Sequence, residues 1–198
     1  MTQTPPRPNS WPAKLAIAAK DIKLAHSVFA LPFAVLGAFL AYSHNFNAIF
    51  MYPALPGGAF EPPAEVSIWA EFGWMLALIV SCMVFDRTFA RVANRVFDRR
   101  VDAINPRTEQ RAFAAGRLSE RDAVILLCGS ISLFTLSTAA FGFFFGNWLP
   151  LLAGPLVLAW LAFYSFTKRF TALCHLVQGI ALALSPIAAA GAVGGIDT

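Results

Sequence analysis

Five apolar runs, at roughly 26–43, 68–86, 123–145, 148–166 and 172–194, dominate this chain, and each is close to the ~20 residues an α-helix needs to cross a bilayer's hydrocarbon. Inside lipid no water satisfies backbone amides, so such runs must close their hydrogen bonds within helices. The stretch LLAGPLVLAWLAFYSF is apolar on every face, which excludes the surface helix of a soluble bundle, where one stripe is polar. Composition agrees, with 58% hydrophobic and 13% charged residues and a mean hydropathy of +0.62. The expected fold is all-α: a polytopic membrane bundle of five transmembrane helices.

Charge then orients the bundle. If the helix ends alternate between two sides, Arg7, Lys14, Lys20 and Lys23 share a side with the nine arginines of 87–121 and with Lys168 and Arg169, which together are all 15 basic residues. The opposite loops, 44–67 and 146–147, contain no Lys or Arg, while Glu61 and Glu65 fall in the first. The positive-inside rule places the N-terminus and the basic loops in the cytoplasm, in a multi-pass protein of the inner membrane. The same asymmetry accounts for the basic pI of 9.3 through topology and anionic head groups, so nucleic acid is not an expected partner.

Residues 1–25 read as a cytoplasmic lead followed by an interfacial amphipathic helix, WPAKLAIAAKDIKLAH, without a cleaved signal. Residues 26–198 form the membrane domain. The outside loop NFNAIFMYPALPGGAFEPPAEV is a turn or loop by its prolines and adjacent glycines. Asn105–Pro106 should end the helix before it, and Ser119 with Asp122 forms a capping pattern that opens the next.

Asn94, Asp98 and Asp102 recur every fourth residue just beyond the second apolar run. Four residues of α-helix advance ~400° and ~6 Å, so the three oxygen-bearing side chains make a drifting column within an arc of ~80°. Hard oxygen donors so spaced suit Mg²⁺, which binds through one or two carboxylates plus a substrate's phosphate oxygens. Arg87, Arg91, Arg95 and Arg99 form a second column at the same spacing, offset by ~100°. Ion pairs of Asp98 with Arg95 or Arg99, and arginines snorkelling at a helix end, are the plainer alternatives.

The run RTFARVANRVFDRRVDAINPRTEQRAFAAGRLS resembles the first aspartate-rich motif of the UbiA superfamily of intramembrane aromatic prenyltransferases. Asn94, Asp98, Asp102, Arg107, Thr108, Arg111 and Gly116 match in place. HSVFALPFAVLGAF and YSFTKRFTALCHLVQGIAL resemble that family's first and fifth spans. Arg95 follows Asn94, as in members acting on 4-hydroxybenzoate-type acids, whereas Ala112, Phe113 and Ala114 depart from the family's x-Leu-Pro.

The resemblance implies transfer of a polyprenyl group from polyprenyl diphosphate to a small aromatic acid, in ubiquinone or menaquinone biosynthesis. Asn94, Asp98 and Asp102 would be the catalytic Mg²⁺ ligands, and Lys23, Arg87, Arg107 and Lys168 would contact substrate. It also implies about nine spans and a second acidic motif. No acidic cluster occurs in 123–198, so the chain is expected to be the N-terminal portion of such an enzyme, inactive without a C-terminal half. A non-catalytic relative that binds a lipid diphosphate or scaffolds a complex is the alternative, and an ion-conducting bundle fits poorly because the acids sit at a helix end.

The remaining polar residues imply little chemistry. Cys82, Cys128 and Cys174 lie singly in three apolar runs, and His26, His44 and His175 at separate span ends, without the clustering of a zinc site or disulfide framework. The 19 phenylalanines serve a lipid-facing surface or an isoprenoid tunnel equally well.

Overall fold

The computed structural model describes residues 8, 10–21, 31–51, 65–167 and 173–194, with the side chains of 44–51 and 65–68 outside that description. Lys23, His26, Glu61, Lys168 and most of the proline-bearing outside loop therefore lie outside the described residues. The described elements are all helices: α1 (Trp11–Asp21), α2 (Leu31–Met51), α3 (Glu65–Ile104), α4 (Glu120–Phe145), α5 (Leu149–Thr167) and α6 (Cys174–Gly194).

Among the described residues four segments, Trp69–Ile104, Glu120–Phe145, Leu149–Thr167 and Cys174–Gly194, are long and apolar enough to cross a membrane, and Leu31–Ser43 is a shorter apolar helix. Five spans were expected. The difference falls on the first of them, whose residues 26–30 lie outside the described part. The outside loop is also shorter than expected, because α2 runs on to Met51 and α3 already starts at Glu65.

The apolar run of α3 and the acidic column form one continuous helix of 40 residues, ~60 Å long, about twice the hydrocarbon thickness of a bilayer. The helix ends at Ile104, immediately before Asn105–Pro106, because the residue preceding proline is pushed out of the α region. Ser119 opens α4 with the expected capping box, its side chain accepting from Asp122 N while Asp122 Oδ2 accepts from Ser119 N at 2.9 Å. Gly146 closes α4 at φ 71°, donating its N–H to Gly142 O at 3.1 Å, a left-handed cap that glycine adopts without a Cβ penalty. Asn147 Nδ2 then donates to Gly191 O and Ala192 O at 2.8 and 2.9 Å, while its Oδ1 accepts from Leu149 N at the start of α5. One side chain thus fixes the α4–α5 turn against α6.

α3 packs along α4 and α2 along α6, with α5 contacting α3, α4 and α6. The α2–α6 approach depends on Gly37, where a Cβ would stand 2.5 Å from the Pro186 carbonyl oxygen. Small residues at a crossing let backbones touch, which lipid-embedded helices use in place of a hydrophobic driving force. The main core joins Ala34, Ala38, Met75, Ile79, Phe141 and Ala189. Trp74, Phe143, Phe144, Leu152 and Leu156 are each at least 70% exposed, an apolar surface that soluble monomers do not carry and that lipid covers.

α1 packs away from this core. Ala18 is buried with Ala112 and Leu118 in a second cluster that Ile17, Phe113 and Leu126 flank, so the amphipathic helix lies against the loop that joins α3 to α4.

Candidate active site

The site is built from the last three turns of α3, the 105–119 loop and the start of α4. Asp98, Asp102, Arg99, Arg100, Phe113 and Glu120 are among the residues lining an open cleft of about 940 Å³. Two of the three expected ligands thus share one space. Asn94 is not among the lining residues, which follows from the ~80° that eight residues of α-helix turn between positions 94 and 102.

Asp102 is buried at 6% exposure, and its two carboxylate oxygens both accept from one Arg111 nitrogen, at 2.7 and 2.8 Å. A charge-assisted pair of this kind is shorter and stronger than a neutral hydrogen bond. The loop is folded to deliver Arg111. Asn105 Oδ1 accepts from Arg107 N at 3.0 Å, Asn105 O accepts from Thr108 N and Glu109 N at 2.9 Å, and Thr108 Oγ1 donates to Asp102 O at 3.1 Å. Buried Thr108 therefore satisfies a carbonyl that the end of α3 leaves open. Gly116 turns the chain at φ 69°, and Leu118 N donates to Ala112 O at 3.1 Å.

Two of the four arginines in the column are committed to carboxylates of the protein itself. Arg95 is buried with Nε 3.4 Å from Asp21 Oδ2 at the end of α1, while Arg99 pairs with Glu120 at 2.5 Å. Asp21 Oδ1 also accepts from Ala112 N at 3.2 Å. The plain alternative for Asp98 named these two arginines, and both turn to other carboxylates. Arg87 stands 11 residues before Asp98, ~16 Å along the axis, and neither it nor the exposed Arg107 lines the cleft. Lys23 and Lys168 lie outside the described residues.

Sequence reasoning missed three residues. Arg100 lines the cleft and is exposed, yet it sits in neither four-residue column. Asp21 braces both Arg95 and the loop, a contact 91 residues distant in sequence that no local pattern reveals. Asp86 lies two steps of four before Asn94 on the same ladder, and extending that ladder backwards would have found it.

Among the described residues no three His, Cys, Asp or Glu side chains come together as a metal-holding group. The donor set is still compatible with Mg²⁺, which needs one or two carboxylates and completes its shell with waters and phosphate oxygens. Asp98 and Asp102 in an open cleft meet that requirement.

Three comparisons bear on this geometry. The model of the UbiA prenyltransferase family matches residues 50–197. A 4-hydroxybenzoate octaprenyltransferase of Marinomonas sp. (strain MWYL1) is 35% identical over 124 residues, covering 62% of this chain and 42% of that protein. A protoheme IX farnesyltransferase of Geobacter sulfurreducens is 36% identical over 136 residues, covering 68% and 46%. Among solved structures, the apo form of a UbiA homolog from Aeropyrum pernix K1 superposes with a TM-score of 0.65 at 28% identity, over 88% of this chain and 52% of that one. The chain spans less than half the length of these two curated relatives.

Proposed function

Because the chain belongs to the UbiA prenyltransferase family, we propose that it carries the diphosphate-binding cleft of an enzyme that moves a polyprenyl group from polyprenyl diphosphate to a small aromatic acid of the 4-hydroxybenzoate type, in quinone biosynthesis. The observation that supports it best is the shared cleft of Asp98 and Asp102 at the basic end of α3. Prenyl transfer breaks the allylic C–O bond, leaves the bonding pair on diphosphate, and joins the allylic carbon to the ring carbon ortho to the phenolic oxygen, which then loses its proton. The main electrostatic task is to hold charge that grows on the diphosphate.

Asp98 and Asp102 are the residues that would hold Mg²⁺, with Asn94 one turn behind. The metal would neutralise the leaving group. Arg111 holds the Asp102 carboxylate in place, and Arg100 at the rim offers a cation to a phosphate oxygen. Phe97 and Phe113 give the cleft apolar wall against which an isoprenoid can lie. Orientation with the cleft in the cytoplasm belongs to the same proposal, supported by the one-sided basic residues.

The test is Asp98→Asn in the complete, active assembly. The exchange keeps size and removes a charge, so turnover at limiting Mg²⁺ should fall by about a hundredfold or more. Wild-type turnover in that variant would sink the assignment. The farnesyltransferase likeness makes haem the second acceptor to assay, and prenylation of haem but not of 4-hydroxybenzoate would replace the acceptor while leaving the cleft's role intact.

A further inference from the structure

Twelve residues back from Asp98, within the apolar part of α3, another carboxylate faces a different space. Asp86 lines a cavity of about 490 Å³ between α2, α3, α4, α5 and α6, whose walls include Met83, Phe134, Trp160 and Leu161. Its Oδ1 is buried and meets no hydrogen-bond partner among the described residues. No described Lys, Arg or His lines the cavity. The Thr138 hydroxyl on its wall is engaged with Phe134 O and Thr135 O of its own helix. A buried acceptor left unpaired is costly, and ionisable groups within a span are rare without a partner or a function. Asp86 stands ~18 Å from Asp98 along the helix, out of reach of a diphosphate held in the cleft.

We propose that this cavity binds an uncharged lipophile whose apolar body fills the walls and whose hydroxyl or phenol donates to the Asp86 carboxylate. Arg87 beside Asp86 is the nearest described cation and does not line the cavity, so an anion inside it would meet only the like charge of the carboxylate. A plain hydrocarbon would fill the walls yet leave Oδ1 unpaired. The volume lies in the range of small-molecule sites. The site is separate from the cleft and does not depend on prenyl transfer.

The test uses 4-nonylphenol, its methyl ether and nonylbenzene, each titrated into the detergent-solubilised chain. Binding is read from Trp160 fluorescence, identified by its loss in Trp160→Phe. The phenol should bind about tenfold tighter than the ether, the scale of one hydrogen bond to a buried acceptor. In Asp86→Leu the phenol should fall to the ether's affinity while nonylbenzene binds as before, showing the cavity intact. Asp86→Asn, which keeps an acceptor oxygen, should keep the preference. Equal binding of phenol and ether to the wild type, no response of Trp160 to any probe, or a preference that survives Asp86→Leu would overturn the proposal. Should Asp86→Leu not fold, the wild-type comparison and Asp86→Asn decide it.

Discussion

Asp102 and Arg111 carry opposite charges nine residues apart in sequence, and their meeting shows what a spacing rule can and cannot foresee. The column of Asn94, Asp98 and Asp102 was legible because helical geometry is fixed, whereas the partner of Asp102 depends on how the 105–119 loop closes. That loop closes through Asn105, Thr108 and Gly116, each making a local contact or a left-handed turn whose outcome no periodicity encodes. The pair is mostly buried, at 9% and 30% side-chain exposure, so removing one partner strands the other. Arg111→Met should lower stability by about 3 kcal/mol, measured as a fall in the thermal midpoint in detergent. The double variant Asp102→Asn with Arg111→Met should recover part of that loss, and no recovery would show that Arg111 acts by packing alone.

At the scale of elements, the helices α4, α5 and α6 start and stop within a few residues of the expected runs, because a bilayer's thickness and the caps at Ser119 and Gly146 leave little freedom. The seat of α1 was not legible. An amphipathic helix near a membrane reads equally as a surface raft or as a brace, and only the structure shows Asp21 accepting from Ala112 N and Lys14 Nζ 2.7 Å from Asp122 Oδ1. If α1 braces the loop, Asp21→Ala should free the Ala112 amide and leave Arg95 without its carboxylate. Amide hydrogen exchange across 108–118 should then speed up by tenfold or more, a local opening made easier by ~1.4 kcal/mol, while α5 and α6 exchange as before. Unchanged protection in the loop would mean that the hydrophobic contact of Ala18 with Ala112 and Leu118 suffices.

For the whole molecule, the membrane class and the one-sidedness of charge followed directly from the sequence, and the family follows from residues 50–197. Orientation can be checked without reference to activity. Single cysteines placed at 107 and at 57, in a background lacking Cys82, Cys128 and Cys174, should react with an impermeant maleimide from opposite faces of sealed vesicles. Position 107 should label from the cytoplasmic side. The reverse pattern would turn the cleft outward and overturn the proposed orientation.

The unbroken course of α3 decides which parts of the molecule can move around the cleft. α3 is one 40-residue helix without an internal proline, so the carboxylates of 98 and 102 travel with the span that carries them. Any opening and shutting of the cleft must come from its other wall, Phe113 and Leu118 of the loop together with Glu120, Ala123 and Val124 of α4. In the proposed prenyl transfer, escape of a bulky amphiphilic product would then follow how often that wall moves aside, the kind of step that limits many enzymes with mobile covers.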